Sequence, residues 1–193
     1  MSKITYTDKV DNVISALPNI NKVKAADLNE IKNSVNAIYD DKGGFANYED
    51  TATATTPIVL TANTWTTLTN NKQGAHTEEN YKPAYITGSL WDSANSKIDF
   101  SEAPIGKVVL IKVDFQIVQT ANNTVLECQM LGGGHTMQLL TTEMKSQNDD
   151  HHYAVTNMIW IEDAAMQTAG MTIQLKTSND SQVEVHNIMV TIL

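Results

Sequence analysis

From residue 58 onward, hydrophobic residues fall on every second position in one stretch after another. In "GKVVLIKVDFQIVQT", Val109, Ile111, Val113, Phe115 and Ile117 share one face, while Lys112, Asp114 and Gln116 lie on the other. A period of two with one wet face predicts an antiparallel strand over a core. "MTIQLKT" repeats it through Met171, Ile173 and Leu175. In "HYAVTNMIWIED" the phase puts Tyr153, Val155, Ile159 and Ile161 inward and Met158 and Trp160 outward. In "QVEVHNIMVTIL" the phase changes: Val183 and Val185 are followed by Ile188, Val190 and Ile192, with Met189 opposite. Apolar residues on both faces predict a strand covered on both sides, and Ile188, Val190 and Ile192 are therefore candidates for a subunit interface. The segments "TANN", "LGGG", "KSQNDD" and "TSND" punctuate the strands as loops. With no alternation of strand and helix, the expected fold is mainly β, an antiparallel jelly-roll-like sandwich of roughly eight strands.

Residues 1–44 have a different texture. "KAADLNEIKNSVNAIYDDKGG" spaces Leu28, Ile31, Val35 and Ile38 by three and four, with Asp27 and Glu30 as a capping box and Gly43–Gly44 as the exit. These residues fit the a and d positions of two heptads and form a candidate trimerisation seam in a short N-terminal coiled-coil segment. Earlier, Thr5 or Thr7, then Val10, Val13 or Ile14, and Leu17 suggest a first helix stopped by Pro18. "FANYEDTATATTP" reads as a Thr/Ala-rich linker. The expected organisation is thus a helical segment at 1–44, a linker at 45–57 and a β-sandwich head at 58–193. Sixteen helical residues are marginal alone in water, and so thin a stripe needs partners, which are expected to be other copies of the chain.

Composition narrows the function. The 193 residues carry a formal net charge of -9, and all 13 basic residues are Lys. Nucleic-acid binding, which needs a basic stripe, is not expected, and phosphate recognition lacks its usual Arg. Thr and Asn make up about a fifth of the chain, which suits strands and turns. Cys128, the single cysteine, excludes an internal disulfide and reads as a buried structural thiol. No hydrophobic run reaches signal-peptide or membrane-span form, so synthesis in a cytoplasm without an export signal or membrane insertion is expected.

Chemistry is sparse. "DDHH" (Asp149 to His152) reads as solvated loop, because adjacent strand residues point apart and a zinc site wants three or four convergent ligands. His76, His135 and His186 are isolated in the sequence. "LGGGH" lacks the following helix and the Lys-Ser/Thr of a phosphate cradle, and reads as a hairpin turn. No catalytic residue, metal site or cofactor is predicted, and the chain is not expected to be an enzyme. Aromatics offer one binding candidate: Trp91, in "YITGSLWDSANSKIDF", is either a ligand-contact residue able to stack on a sugar ring or, just as commonly for such residues, a core or interface anchor.

"KVKAADLNEIKNSVNAIYD" resembles the helix that opens many bacteriophage fibre and virion proteins. The run "TANTWTTLTNN…LWDSANSKIDFSEAPIGKVVLIKVDFQIVQT" is similar to the β-domains of trimeric phage fibres of the tumour-necrosis-factor or complement-C1q type, found on head fibres of crAss-like phages. The resemblance covers the helix and residues 58–120. It implies a homotrimer in the virion, attached by its N-terminus to a capsid or other virion protein and projecting a head towards host surface polysaccharide. Two rival expectations are a purely structural decoration or tail adaptor and a soluble monomeric β-sandwich binding protein.

Overall fold

The computed structural model describes residues 25–40 and 42–193, and the chain divides between Lys42 and Gly43. The expected first helix, from Thr5 or Thr7 to Leu17, lies outside the described residues. The second helix is present as α1, Ala25–Asp40. It begins ahead of Asp27, so the expected capping-box pair falls inside its first turns.

The β unit holds two antiparallel sheets. Sheet A is ordered β1 (Gly44–Glu49), β11 (Ser181–Ile192), β6 (Val108–Gln119) and β9 (Asp150–Trp160), with β2 (Ile58–Leu60) also paired to β11. Sheet B is ordered β4 (Trp91–Asp92), β5 (Lys97–Ile98), β10 (Met171–Thr177), β7 (Thr124–Gly132) and β8 (His135–Met144), with β3 (Thr66–Thr67) also paired to β10. From β6 the chain crosses to β7, turns into β8, crosses back to β9, passes through α2 (Ala164–Ala169) to β10, and returns to β11. This alternation between sheets defines a jelly-roll-like sandwich, as the sequence predicts.

The alternating side chains make the core. Val109, Ile111, Val113, Phe115 and Ile117 of β6 are buried against Met171, Ile173 and Leu175 of β10 and the inward residues of β7, β9 and β11 in one cluster. Cys128 is buried within it, as expected. Turns follow the sequence signals. Between β7 and β8, Gly133 and Gly134 take φ of 58° and 85°, the two positive values that a tight two-residue hairpin needs. A Cβ on Gly133 would also approach the backbone of Met166 to 2.5 Å.

Three sequence expectations change. Residues 44–49 are a strand, not a linker: β1 pairs with β11 from Gly44↔Ile192 to Glu49↔Asn187 and buries Ala46 and Tyr48. The following turn is anchored, since Asp50 accepts from the Thr53 N–H at 2.7 Å and the Thr53 hydroxyl accepts from the Val185 N–H at 2.8 Å. The final strand is not covered on two faces. Its register against β6 slips between Val185 and Asn187, and this β-bulge returns Ile188, Val190 and Ile192 to the inward face already occupied by Val183 and Val185. All three are fully buried inside the chain's own core, where they pack as core residues and present no surface to another subunit. Finally, Asp150, His151 and His152 open strand β9, so only Asp149 of the expected loop precedes it.

Candidate assembly surfaces and binding sites

Three aliphatic side chains of the helix α1 are exposed to solvent. Leu28, Ile31 and Val35 are 39%, 59% and 39% exposed, and Ile38 continues their spacing along the helix. Residues three and four apart line one side of a helix, so Leu28, Ile31 and Val35 share a face.

Trp91 is not placed to contact a ligand. It is fully buried, and its indole Nε1–H donates to the Asn70 carbonyl at 2.8 Å. The Asn70 side chain in turn donates to the Tyr48 carbonyl at 2.8 Å, and the Tyr48 hydroxyl accepts from the Leu90 N–H at 2.7 Å. Trp91 therefore ties the 70–90 region to β1. Burial pushes the Tyr48 hydroxyl well above its ordinary pKa, so it stays protonated. Beside it, burial opposes ionisation of Glu79, but hydrogen bonds from Ser89 and Tyr48 and the nearby Lys82 and Lys72 outweigh it and hold the carboxyl below its usual range. Trp65 is half-buried beneath Lys176, whose ammonium lies 4.7 Å from the ring centroid.

The histidines are less isolated than they look in sequence. His135 lies between Glu162 and Asp163, at 3.3 Å from each. Asp163 caps α2 by accepting from the Met166 N–H at 2.8 Å, and that bond, with His135 beside it, keeps its carboxyl below the usual range. His152 and His186 face each other with ring centroids 6.0 Å apart. They line an open depression of about 360 Å³ with Asp114 and Asn187 at the bulge. Among the described residues, no group of three or more His, Cys, Asp or Glu side chains is arranged to hold a metal. Burial pushes the Cys128 thiol up to about 12, which keeps it protonated and unreactive. Among the same residues, no helix is long and apolar enough to cross a membrane.

A further surface lies on the outside of sheet A. Met158 and Trp160 point outward from β9, as their phase predicts, and are among the most exposed large hydrophobic residues. Their phase is legible in sequence; the apolar neighbours they meet on other strands are set by register.

The molecule is thus an antiparallel jelly-roll-like sandwich in a chain that also carries an amphipathic helix. No protein-family model matches the chain, and no curated protein matches it. Solved structures that resemble it include the Eiger TNF from S. frugiperda, at 9% identity and a TM-score of 0.41, covering 79% of this chain and 94% of that one. The PRD1 vertex protein P5 matches at 12% identity and a TM-score of 0.43, covering 77% and 94%. A structure of the infectious bursal disease virus Gt strain matches at 9% identity and a TM-score of 0.38, covering 80% of this chain and 34% of that one.

Proposed function

We propose that the chain is a structural fibre protein of a bacteriophage virion, a homotrimer whose helices associate along Leu28, Ile31, Val35 and Ile38 and whose jelly-roll unit forms the projecting head. The observation that carries this reading is the exposed stripe on α1, in the chain just ahead of the first strand of the sandwich. A 16-residue helix with three exposed aliphatic side chains is marginal as a free element and gains its stability by burying that stripe. Two heptads supply a weak seam, so the heads must contribute to assembly as well. The sequence resemblance of residues 24–40 to phage fibre helices supports the virion setting. Residues 1 to about 20 are assigned to docking on a capsid or other virion protein.

The role is first mechanical. Burial of Trp91 removes the aromatic residue that motivated sugar stacking, which favours the structural reading over adhesion. Contact with a host polysaccharide would fall to the exposed segments around residues 71–82, including Tyr81, with trivalency raising the avidity of weak contacts. Gold-labelled antibody against the purified chain, applied to intact particles of the encoding phage, tests the assignment. Label at regular positions on the particle is expected. Label confined to the soluble fraction of the lysate would overturn the reading. A chain lacking residues 1–20 should still assemble but fail to decorate particles.

A further inference from the structure

The two outer faces of the sandwich differ in chemistry. Outside sheet B the middle of the face is polar and mutually satisfied: Lys176 pairs with Glu127, and the Gln129 amide donates to Gln174 at 2.8 Å, while the exposed Val125 and Leu131 stand apart towards the two ends of β7. Outside sheet A one end is apolar across four strands. Phe45, Thr191, Leu110 and Met158 stand opposite one another in a single row through β1, β11, β6 and β9. In the next row Val108 pairs with Trp160, and the Leu193 N–H donates to the Val108 carbonyl at 2.9 Å. Phe45, Met158, Trp160 and Leu193 are 37%, 63%, 59% and 57% exposed, and the Phe45 ring stacks on Tyr81 with centroids 5.4 Å apart.

We propose that this end of the sheet A face is the surface through which the heads of separate copies pack on one another, its occupant being a second copy of this chain. The proposal rests on the trimeric reading above and supplies the head contact that reading requires. Three observations select a copy over another partner. The first is charge. Copies carrying -9 each repel across most of their surfaces, yet the two rows hold no ionisable side chain. Further along the same face of β6, Lys112 and Asp114 are paired with each other at 2.7 Å.

The second is chain continuity. Phe45 follows Asp40, the last residue of α1, by five residues, which span at most about 18 Å. Helices joined along their stripe therefore hold each copy's Phe45 close to its neighbours' and raise the local concentration of head for head into the millimolar range. The third is area. Four partly exposed side chains, two of them aromatic, offer roughly 400 Å². That is about half of what one side of an independently stable interface buries, roughly 800 Å². Such a patch suits a contact that works together with a second weak seam, as the helix stripe provides, and not one that captures a free partner from solution.

The test uses the full chain. Met158 should resist hydrogen peroxide in the assembled protein and oxidise on dilution to monomer, as read by peptide mass spectrometry. Met158→Glu with Trp160→Glu, both at exposed positions, should weaken assembly by about 30-fold or more, as expected for losing interface anchors, with an unchanged circular dichroism spectrum. An assembled wild type whose Met158 oxidises as fast as in the monomer would overturn this inference, leave the trimer intact and open the face to another partner. A wild type that is monomeric at every concentration would overturn the trimeric reading and this one with it. The oxidation readout needs no variant, so a misfolded double mutant does not shelter the proposal.

Discussion

Replacing Ile188 with Ala separates a core residue from an interface residue. Ile188 is fully buried on β11, opposite Tyr48 of β1 and Val113 of β6. The substitution removes three carbons, worth about 2.4 kcal/mol of transfer free energy at ~0.8 kcal/mol per methylene. The space left behind, roughly 60 Å³, adds about 1.4 kcal/mol. The expected loss is therefore about 3–4 kcal/mol, or near 10 °C in melting temperature for a domain of this size. Urea unfolding followed by circular dichroism, at two protein concentrations tenfold apart, measures it. At matched concentration the difference between variant and wild type should be the same at both. A loss below about 1 kcal/mol, or one appearing only as dissociation of folded subunits, would refute the placement of this residue in the protomer core.

Deleting His186 removes the bulge and leaves Val185 and Asn187 opposite Phe115 and Asp114 in strict alternation, with Val183, Val185, Ile188, Val190 and Ile192 still inward, so cooperative urea unfolding should persist; loss of the transition would argue against this register. Gly133→Ala should cost more than about 2 kcal/mol, because φ is 58° and the new Cβ meets the Met166 backbone; an unchanged urea midpoint would argue against this turn. Trp91→Phe strands the Asn70 carbonyl and should cost about 1–3 kcal/mol in urea unfolding while leaving polysaccharide binding in a pull-down unchanged. For Cys128 burial holds the folded pKa at about 12, above the ordinary thiol value of 9.0, so the unfolded chain loses its proton first. Its contribution is intact below pH 9 and is lost as pH rises towards 12, by about 1 kcal/mol at pH 10. Cys128→Ala should remove that part of the alkaline slope in urea titrations at pH 8 and pH 10.

The sandwich was legible wherever alternation ran long. The phase of β6, β9 and β10 was readable from single residues such as Phe115, Val155 and Ile173, because one wet face forces a period of two. The double glycine at 133–134 announced its turn for the same local reason. The features that escaped depend on a partner remote in the chain. Strand β1 alternates for six residues inside a Thr/Ala-rich stretch, and what makes it a strand is β11, more than 130 residues away. The phase change at His186 has two solutions, a strand covered on both faces or a bulge; the register with β6 selects the second. Trp91 sits in a two-residue strand, too short for periodicity to say which way its ring points. Met158 and Trp160 were readable as outward, but their alignment with Leu110 and Phe45 follows from pairing across four strands.

The central claim is association of copies through a helix stripe and a head face, and the mass of the full chain in solution tests it most directly. Sedimentation equilibrium across micromolar concentrations should return three times the chain mass. It should fall when Leu28, Ile31 and Val35 are replaced by Ser or when Met158→Glu and Trp160→Glu are introduced, and reach the monomer when the two sets are combined. A wild-type chain that sediments as a monomer throughout would contradict the account.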